Sequence, residues 1–397
     1  MTNLILFDDP TIRTALLPFT FTRPVAKCRV GILTIAEKWE KRLGTVPSYL
    51  TQDYLRVTFP QIAGTDNLYV NGALLATDAL AEAVQQLAVG QSLVSADGQL
   101  LAIRTTEVFR EQPVAGDDTV VAAGTVEMMT GLPSFLEHNG RQIRADFAFL
   151  TAGRQSQPIT DPFTHCYGTE NIFIEEGAVI RASILNAENG PIYIGRDARI
   201  NEGSVVIGPF ALGENSIVQW TSKMRANTSV GPNCKVGGEV GNTILFAYSA
   251  KQHDGYLGDS VIGEWCNLGA DTNNSNLKND YGNVKLYSYA TGKLEDSGRM
   301  FCGLMMGDFT RAGISTMFNT GTVVGVSVNV FGGGFQPKHI PSFSWGGAAD
   351  GIVGYRLEKA LHVAGEAFKR RNLVFGEVEE QVLRAIFDKT RTDIAPS

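Results

Sequence analysis

His253 is one of only 5 histidines in a chain of 397 residues, and it stands between Gln252 and Asp254 in the stretch AYSAKQHDGYLGDSVIGEWCNLGADTNNSNL, residues 247–277. An imidazole titrates near neutral pH and accepts a proton without a permanent charge, so a histidine on a loop here suits a general base. A second group lies near the start of the chain. Asp8 and Asp9 follow the apolar run NLILF, and Arg13, Arg23, Lys27 and Arg29 come soon after. Clustered cations grip phosphate, and carboxylates beside them could hold Mg²⁺.

The surroundings of His253 are periodic. Every sixth residue from Ile194 is aliphatic or Met: Ile200, Val206, Leu212, Val218, Met224, Val230 and Val236. The next residue is often glycine, as at Gly195, Gly213, Gly231 and Gly237, and the residue four after each aliphatic is mostly small, as at Ala198, Ser204, Ser216, Ser222, Thr228 and Cys234. The register slips near Leu257, Ile262 and Leu268 and returns at Met306, Ala312, Phe318, Val324 and Val330. A helix would show a period of 3.6 and a simple strand a period of 2; a period of six predicts one short strand and one turn per side of a triangular coil. The repeat breaks near 239–256, where His253 lies, and again at 273–305. A scaffold coil has no need of such breaks, so they are the expected place for function.

Residues 1–155 read differently. NLILF and NLYVNGALL look like buried strands, while ILTIAEKWEKRLG and TDALAEAVQQLAVG look like helices, the second capped by Thr77 or Asp78. Alternating strands and helices predict an α/β domain with a mainly parallel sheet. In such a sheet ligands favour the carboxyl ends of strands, which places Asn71 and Gly72 near the basic cluster. The expected division is an α/β domain over 1–155, a coil over 156–345 and a helical segment over 346–397. In that last segment Leu357, Leu361, Ala364 and Phe368, then Val378, Val382, Leu383, Ile386 and Phe387, fall at helical spacing.

Composition narrows the field. A net charge of −7 argues against a general nucleic-acid partner. No apolar run reaches the length of a membrane span, and the first residues lack the pattern of a signal peptide. The five cysteines have no C-x-x-C spacing and are expected to be reduced thiols of a cytoplasmic protein.

The second half resembles the left-handed β-helix acyltransferases. KQHDGYLGDSVIGEWCNLGADTNNSN is more narrowly similar to the acetyltransferase domain of the bifunctional family that makes UDP-N-acetylglucosamine, whose pattern is close to G-H-x-x-Y-[IL]-G-D-x-x-I-G-x-x-x-N-[IL]-G-A-G-T-x-x-x-N-Y. His253, Tyr256, Leu257, Gly258, Asp259, Ile262, Gly263, Asn267, Leu268, Gly269, Ala270, Thr272 and Asn276 match it. The resemblance implies that His253 is the general base and that Tyr256 and Asn267 hold an amino sugar. It implies that Arg225 meets the sugar phosphate. That residue occupies a position usually held by glycine, where a guanidinium could grip phosphate bidentately. It further implies that Ala270, Asn276, Ile314 and Gly332 meet acetyl-CoA, and that the protein is a homotrimer whose acetyl-CoA site lies between neighbouring coils. The family's phosphate-binding lysine falls near Thr243, so Lys251 or Lys223 could substitute; Leu277 stands for a tyrosine and Asp271 for a glycine.

The first half resembles the sugar-1-phosphate nucleotidyltransferases, through Arg13, Pro18, Thr20 and Pro24 in LILFDDPTIRTALLPFTFTRPVAKCRVG and through LYVNGALL. The family's glycine-rich loop is replaced by Asp8-Asp9-Pro10, its lysine by Val25 and its metal-binding aspartate by Ala73. The resemblance implies a shortened nucleotidyltransferase-like sheet of Rossmann type that binds a nucleoside triphosphate, with Arg13, Arg23, Lys27, Arg29, Asn71 and Gly72 at the nucleotide and Asp8 and Asp9 as the nearest carboxylates for Mg²⁺. Three readings follow: acetyl transfer to glucosamine-1-phosphate coupled to UTP-dependent nucleotidyl transfer; acetyl transfer with a first domain that only binds or braces; and a scaffold or zinc protein on the same coil.

Overall fold

A computed structural model describes residues 2–393. Met1 and residues 394–397, which begin and end the first and last expected segments, lie outside the described residues. The chain divides into two compact units, one of residues 1–28, 33–134 and 377–382, the other of residues 29–32, 135–376 and 383–397.

The first unit is built on a six-stranded sheet. Its strands are β1 (Asn3–Phe7), β2 (Ser48–Leu50), β3 (Asn67–Asn71), β4 (Ser92–Val94), β5 (Leu100–Thr105) and β6 (Thr119–Val121), in the order β2-β1-β3-β5-β4-β6. β1 runs parallel to β2 and β3, and β4 runs parallel to β6. β5 is antiparallel to both β3 and β4, so the sheet is mixed where a mainly parallel one was expected. Leu4 to Phe7 are all buried, as befits a central strand covered on both faces. The helices α1 (Pro10–Ala15), α2 (Ile35–Leu43) and α3 (Asp78–Gln85) have clear local causes. Asp9 caps α1; Thr34 and Glu37 form a capping box on α2, which ends at left-handed Gly44; Thr77, not Asp78, caps α3.

The second unit is the left-handed parallel β-helix that the resemblance implies, with the triangular coil that the period of six predicts. Its three faces are parallel sheets of six, nine and ten strands. We call them face 1 (from His165–Tyr167 to Tyr256–Gly258), face 2 (from Ile172–Ile174 to His339–Ile340) and face 3 (from Val179–Ile180 to Gly351–Gly354, whose last strand alone is antiparallel). The eight aliphatic positions from Ile194 to Val236 all lie in one continuous core. The small positions face inward too, and their hydroxyls tie one coil to the next: Ser204 Oγ donates to Gln219 O, Ser216 Oγ to Gly231 O and Thr310 Oγ1 to Gly325 O. His165 and His339 are both in strands of the coil.

The first break in the repeat is not a break in the coil. Leu212 pairs with Val230 eighteen residues on, whereas Val230 pairs with Leu245 and Val236 with Lys251, each only fifteen on. Shortened turns shift the sequence register while the stacking continues, so 239–256 is not the interruption that the period suggested. The second break is an insertion: Lys285–Ser288 and Lys293–Asp296 form an antiparallel hairpin whose Tyr287 stacks on His339 at 3.5 Å between ring centroids.

Three further helices complete the described residues: α4 (Leu132–Thr151), α5 (Leu357–Lys369) and α6 (Glu377–Thr390). The part of α4 within the second unit is bonded to the coil through Asn139, whose Nδ2 donates to Asn227 O and whose Oδ1 accepts from Ser229 Oγ. α5 docks through Phe368, which stacks on Trp265 at 4.0 Å, and Trp265 stacks in turn on Tyr248 at 4.3 Å. Tyr248, Trp265, Phe309 and Phe343 all have positive φ and occupy the corner where earlier coils place Asn215 and Asn233. Large side chains rarely adopt that conformation; here Tyr248, Trp265 and Phe309 stack as an aromatic column, Ser327 takes the next corner, and Phe387 of α6 lies edge-on to Phe343.

Candidate functional site

The corner between faces 3 and 1 carries His253. The strand Ala250–Lys251 ends face 3 at this coil, residues 252–255 turn the corner, and Tyr256–Gly258 opens face 1. His253 is exposed. Lys251 beneath it is fully buried, in register with the core residue Val236. Its ammonium does not point at solvent: Nζ donates to His253 O at 2.5 Å and to Asp254 O at 3.0 Å. Burial pushes its pKa down to about 8. Lys251 therefore braces the loop of His253, which leaves exposed Lys223 as the lysine open to a ligand; it faces Glu239 at 3.9 Å.

Face 1 gathers the polar cluster. Tyr256 Oη accepts from Asn276 Nδ2 at 3.0 Å, and the same Nδ2 lies 2.6 Å from Asp259 Oδ2. Asp259 Oδ1 accepts from Asn242 Nδ2. Burial and the Asp259 carboxylate raise the Tyr256 pKa, and Arg225 pulls against them. Arg225 lies over Gly241, where a Cβ would meet the arginine's own Cβ at 3.0 Å; its Nη1 is 3.3 Å from Glu239 Oε1. The next strand pairing is missing here. Side chains replace it: Asn273 Oδ1 accepts from Tyr256 N, and Asn274 Oδ1 accepts from Gly258 N while its Nδ2 donates to Gly258 O. Asn273, Asn274, Asp259 and Glu239 were given no role from sequence, although all but Glu239 lie inside the motif.

Ala270, Ile314 and Gly332 follow successive face-3 strands and so line the same corner as His253; Ile314 is 76% exposed. Asn267 is placed apart. It lies on face 3, in register with Ala250 and Arg311, while Tyr256 lies on face 1. It lines a cavity of about 530 Å³ between face 3 and α5, with Gln252 at one edge.

In the first unit, a cavity of about 640 Å³ opens at the carboxyl ends of β1 and β2, lined by Asp8, Thr51, Arg56 and Arg110 among others. Asp8 is buried and accepts from Val25 N at 2.8 Å and Thr51 Oγ1 at 2.6 Å; burial pushes its pKa up to about 6 against these donors and Arg13. Asp9 accepts from Thr11 N, Ile12 N and Gln112 Nε2. A metal at Asp8 and Asp9 would have to displace these donors, and among the described residues no group of three or more His, Cys, Asp or Glu is arranged to hold one. Arg13 is buried and bonded to Thr20 O and Tyr54 Oη, Arg23 is buried, and Lys27 lies over the Tyr49 ring. Arg29, also buried, belongs to the second unit and donates to Ile32 O. Asn71 is buried against Leu100 O and Ala73 N, and Gly72 packs on Phe7 O and Ala26. Of the residues expected at the nucleotide or metal only Asp8 lines the cavity; Thr51, Arg56 and Arg110 carried no motif that would single them out.

Residues 4–155 match the family model described as Sugar nucleotidyl transferase. A bifunctional sugar-1-phosphate nucleotidylyltransferase/acetyltransferase of Sulfurisphaera tokodaii is 33% identical over 146 residues, 36% of this chain and 36% of that protein. The bifunctional protein GlmU of Nostoc sp. is 28% identical over 201 residues, 49% of this chain and 38% of that protein. The chain resembles the bifunctional nucleotidyltransferase/acetyltransferases. The matched stretches span well under half the length of those two relatives. Among solved structures, an Arabidopsis UDP-N-acetylglucosamine acyltransferase covers 53% of this chain and 78% of its own, at 16% identity and a TM-score of 0.26. No helix among the described residues is long and apolar enough to cross a membrane.

Proposed function

We propose that the second unit transfers an acetyl group from acetyl-CoA to the amine of an amino-sugar 1-phosphate, with glucosamine-1-phosphate as the acceptor. The observation that carries this reading is the corner itself: His253 stands exposed between the Arg225–Tyr256–Asn276 cluster on face 1 and the column Ala270, Ile314 and Gly332. In this reading His253 takes the proton of the attacking amine, the amine forms its bond to the acetyl carbon, and the thiolate of CoA leaves. Arg225 and Lys223 meet the sugar phosphate and Tyr256 orients the ring, while Asn276, expected at acetyl-CoA, is bonded to Tyr256 Oη. Tyr256 and Asn267 occupy different faces of one coil, and Asn267 opens on the cavity under α5 of its own chain. A trimer with its sites between coils is what the resemblance implies, and it belongs to this reading.

The first unit then joins the sugar 1-phosphate to a nucleoside triphosphate, UTP, and releases pyrophosphate in the cavity beside Asp8, with Arg56 and Arg110 as further cations. The matched family model supports this half. Residues 1–155, 156–345 and 346–397 serve as the functional segments. The bracing reading is favoured by one observation: Asp9 and Arg13 are already bonded to protein groups. Purified protein given acetyl-CoA and glucosamine-1-phosphate, then UTP with Mg²⁺, decides both halves when free thiol and pyrophosphate are followed separately. Absence of thiol release overturns the acetyl-transfer reading. Absence of pyrophosphate, with no heat on titrating UTP, makes the first unit a brace.

A further inference from the structure

The cavity between face 3 and α5 has a floor of four outward residues in register, Lys235, Ala250, Asn267 and Arg311. Small Ala250 and Asn267 leave a trough between two cations. Three strand spacings separate Lys235 from Arg311, about 14 Å of backbone. The roof is α5, with His362, Ala367, Arg370 and Arg371 on the cavity. Four cationic side chains thus face one space, whose only acidic lining residue among the described residues, Glu366, lies 3.8 Å from Lys369. Among the described residues none of Lys235, Arg311, Arg370 or Arg371 has a carboxylate within ion-pair distance. Arg311 is half-buried, and among the described residues its guanidinium makes a single hydrogen bond, a long one of 3.4 Å to Val363 O. Burial lowers its pKa from the ordinary arginine value.

The end of a helix attracts cations, which accounts for Arg370 and Arg371 at the end of α5. It does not account for Lys235 and Arg311, which come from the coil. Bringing like charges together around a cavity costs stability unless an anion joins them. One phosphoryl group carries a charge of about −1.5 to −2, which four cations outnumber.

We propose that this trough binds the diphosphate group of a small organic ligand, with Arg311 and Lys235 on one side and Arg370 and Arg371 on the other. A diphosphate occurs in CoA, in nucleotide sugars and as free pyrophosphate, and the trough recognises what these share. The proposal stands apart from acetyl transfer, because binding is read without turnover.

The test is calorimetric titration of the full chain, in EDTA to suppress metal-dependent binding elsewhere, with CoA, a uridine diphosphate sugar and inorganic pyrophosphate in turn. At least one probe binds the wild type, and its affinity falls about 10-fold or more in Arg311→Ala and in Arg370→Ala/Arg371→Ala, in line with loss of charge-assisted bonds to phosphate. The double variant changes only the helix end, so it reports even if Arg311→Ala folds poorly. A response confined to CoA assigns the trough to the thioester donor, one confined to the uridine diphosphate sugar to a nucleotide product, and one confined to pyrophosphate to the free anion. The proposal is overturned if no probe binds the wild type, or if every probe that binds does so equally well in the variants. Thiol release is measured in a separate assay, so failure here and failure of the acetyl-transfer reading are distinct results.

Discussion

Lys251 Nζ holds the backbone carbonyl of His253, from a position where the coil otherwise places an aliphatic residue. A buried ammonium is costly unless it is hydrogen-bonded, and here its bonds go to the loop that presents the candidate base. Replacing Lys251 by Met restores an apolar core residue and releases the loop. We expect Lys251→Met to fold, to lower kcat for acetyl transfer about 10-fold or more and to leave KM for the acceptor nearly unchanged. An equal change in kcat and KM, or none, would show that the lysine does not position His253.

His253→Ala should lower acetyl transfer at saturating substrate by about 10²-fold or more, because a positioned general base typically contributes that much. The side chain is exposed, so stability should be unaffected. Near-wild-type thiol release by this variant would remove His253 from the reaction while leaving acyl transfer itself open.

Arg225 lies across Gly241 and beside Glu239, so an incoming phosphate would share its guanidinium with that carboxylate. Arg225→Ala is expected to weaken binding of the phosphorylated sugar by roughly 10- to 150-fold, the worth of a charge-assisted bond. Acetyl-CoA affinity should barely move. Equal weakening of both ligands points to a structural role in the coil.

Asp8 gives the first unit a pH signature. Its folded pKa of about 6 lies above the ordinary value of 3.8, so the folded protein keeps a proton that the unfolded chain releases between those limits. Stability from this group is therefore full below about pH 4 and falls as pH rises through about 6, by about 3 kcal/mol in all. Asp8→Asn removes the titration. Urea midpoints for wild type and variant, measured from pH 4 to pH 7, should differ by an amount that changes steadily up to pH 6; a constant difference sinks the assignment.

Trp265 has φ of 61° and is stacked on both sides. Trp265→Asn relieves the backbone but deletes the contact that docks α5. Loss of a buried aromatic costs about 3–5 kcal/mol, against about 1–2 kcal/mol recovered from the left-handed backbone, so we expect a net loss. Limited proteolysis should then cut the segment after α5 faster than in the wild type. Unchanged cleavage means that the stack does not hold the helix.

The period of six was enough to specify the coil, because each side of such a prism needs one inward aliphatic residue and one small residue, whatever surrounds it. Ile194 to Val236 therefore announced their burial from sequence alone. The motif from His253 to Asn276 likewise carried its own spacing. Tertiary structure decided what spacing could not. Lys251 read as a possible substitute for the phosphate-binding lysine, and only its pairing with Val236 turned it inward. Tyr256 and Asn267 are close in sequence yet lie on different faces, since two corners of the coil and the strand Val261–Ile262 fall between them. Arg13, Arg23 and Arg29 read as one basic cluster, but burial commits Arg13 and Arg29 to neighbouring backbone and places Arg29 in the other unit. The trough formed by Lys235, Arg311, Arg370 and Arg371 draws on strands and a helix far apart in the chain. A one-dimensional period records what each residue owes its own coil, whereas a site is made by residues that meet only when coils stack and helices dock.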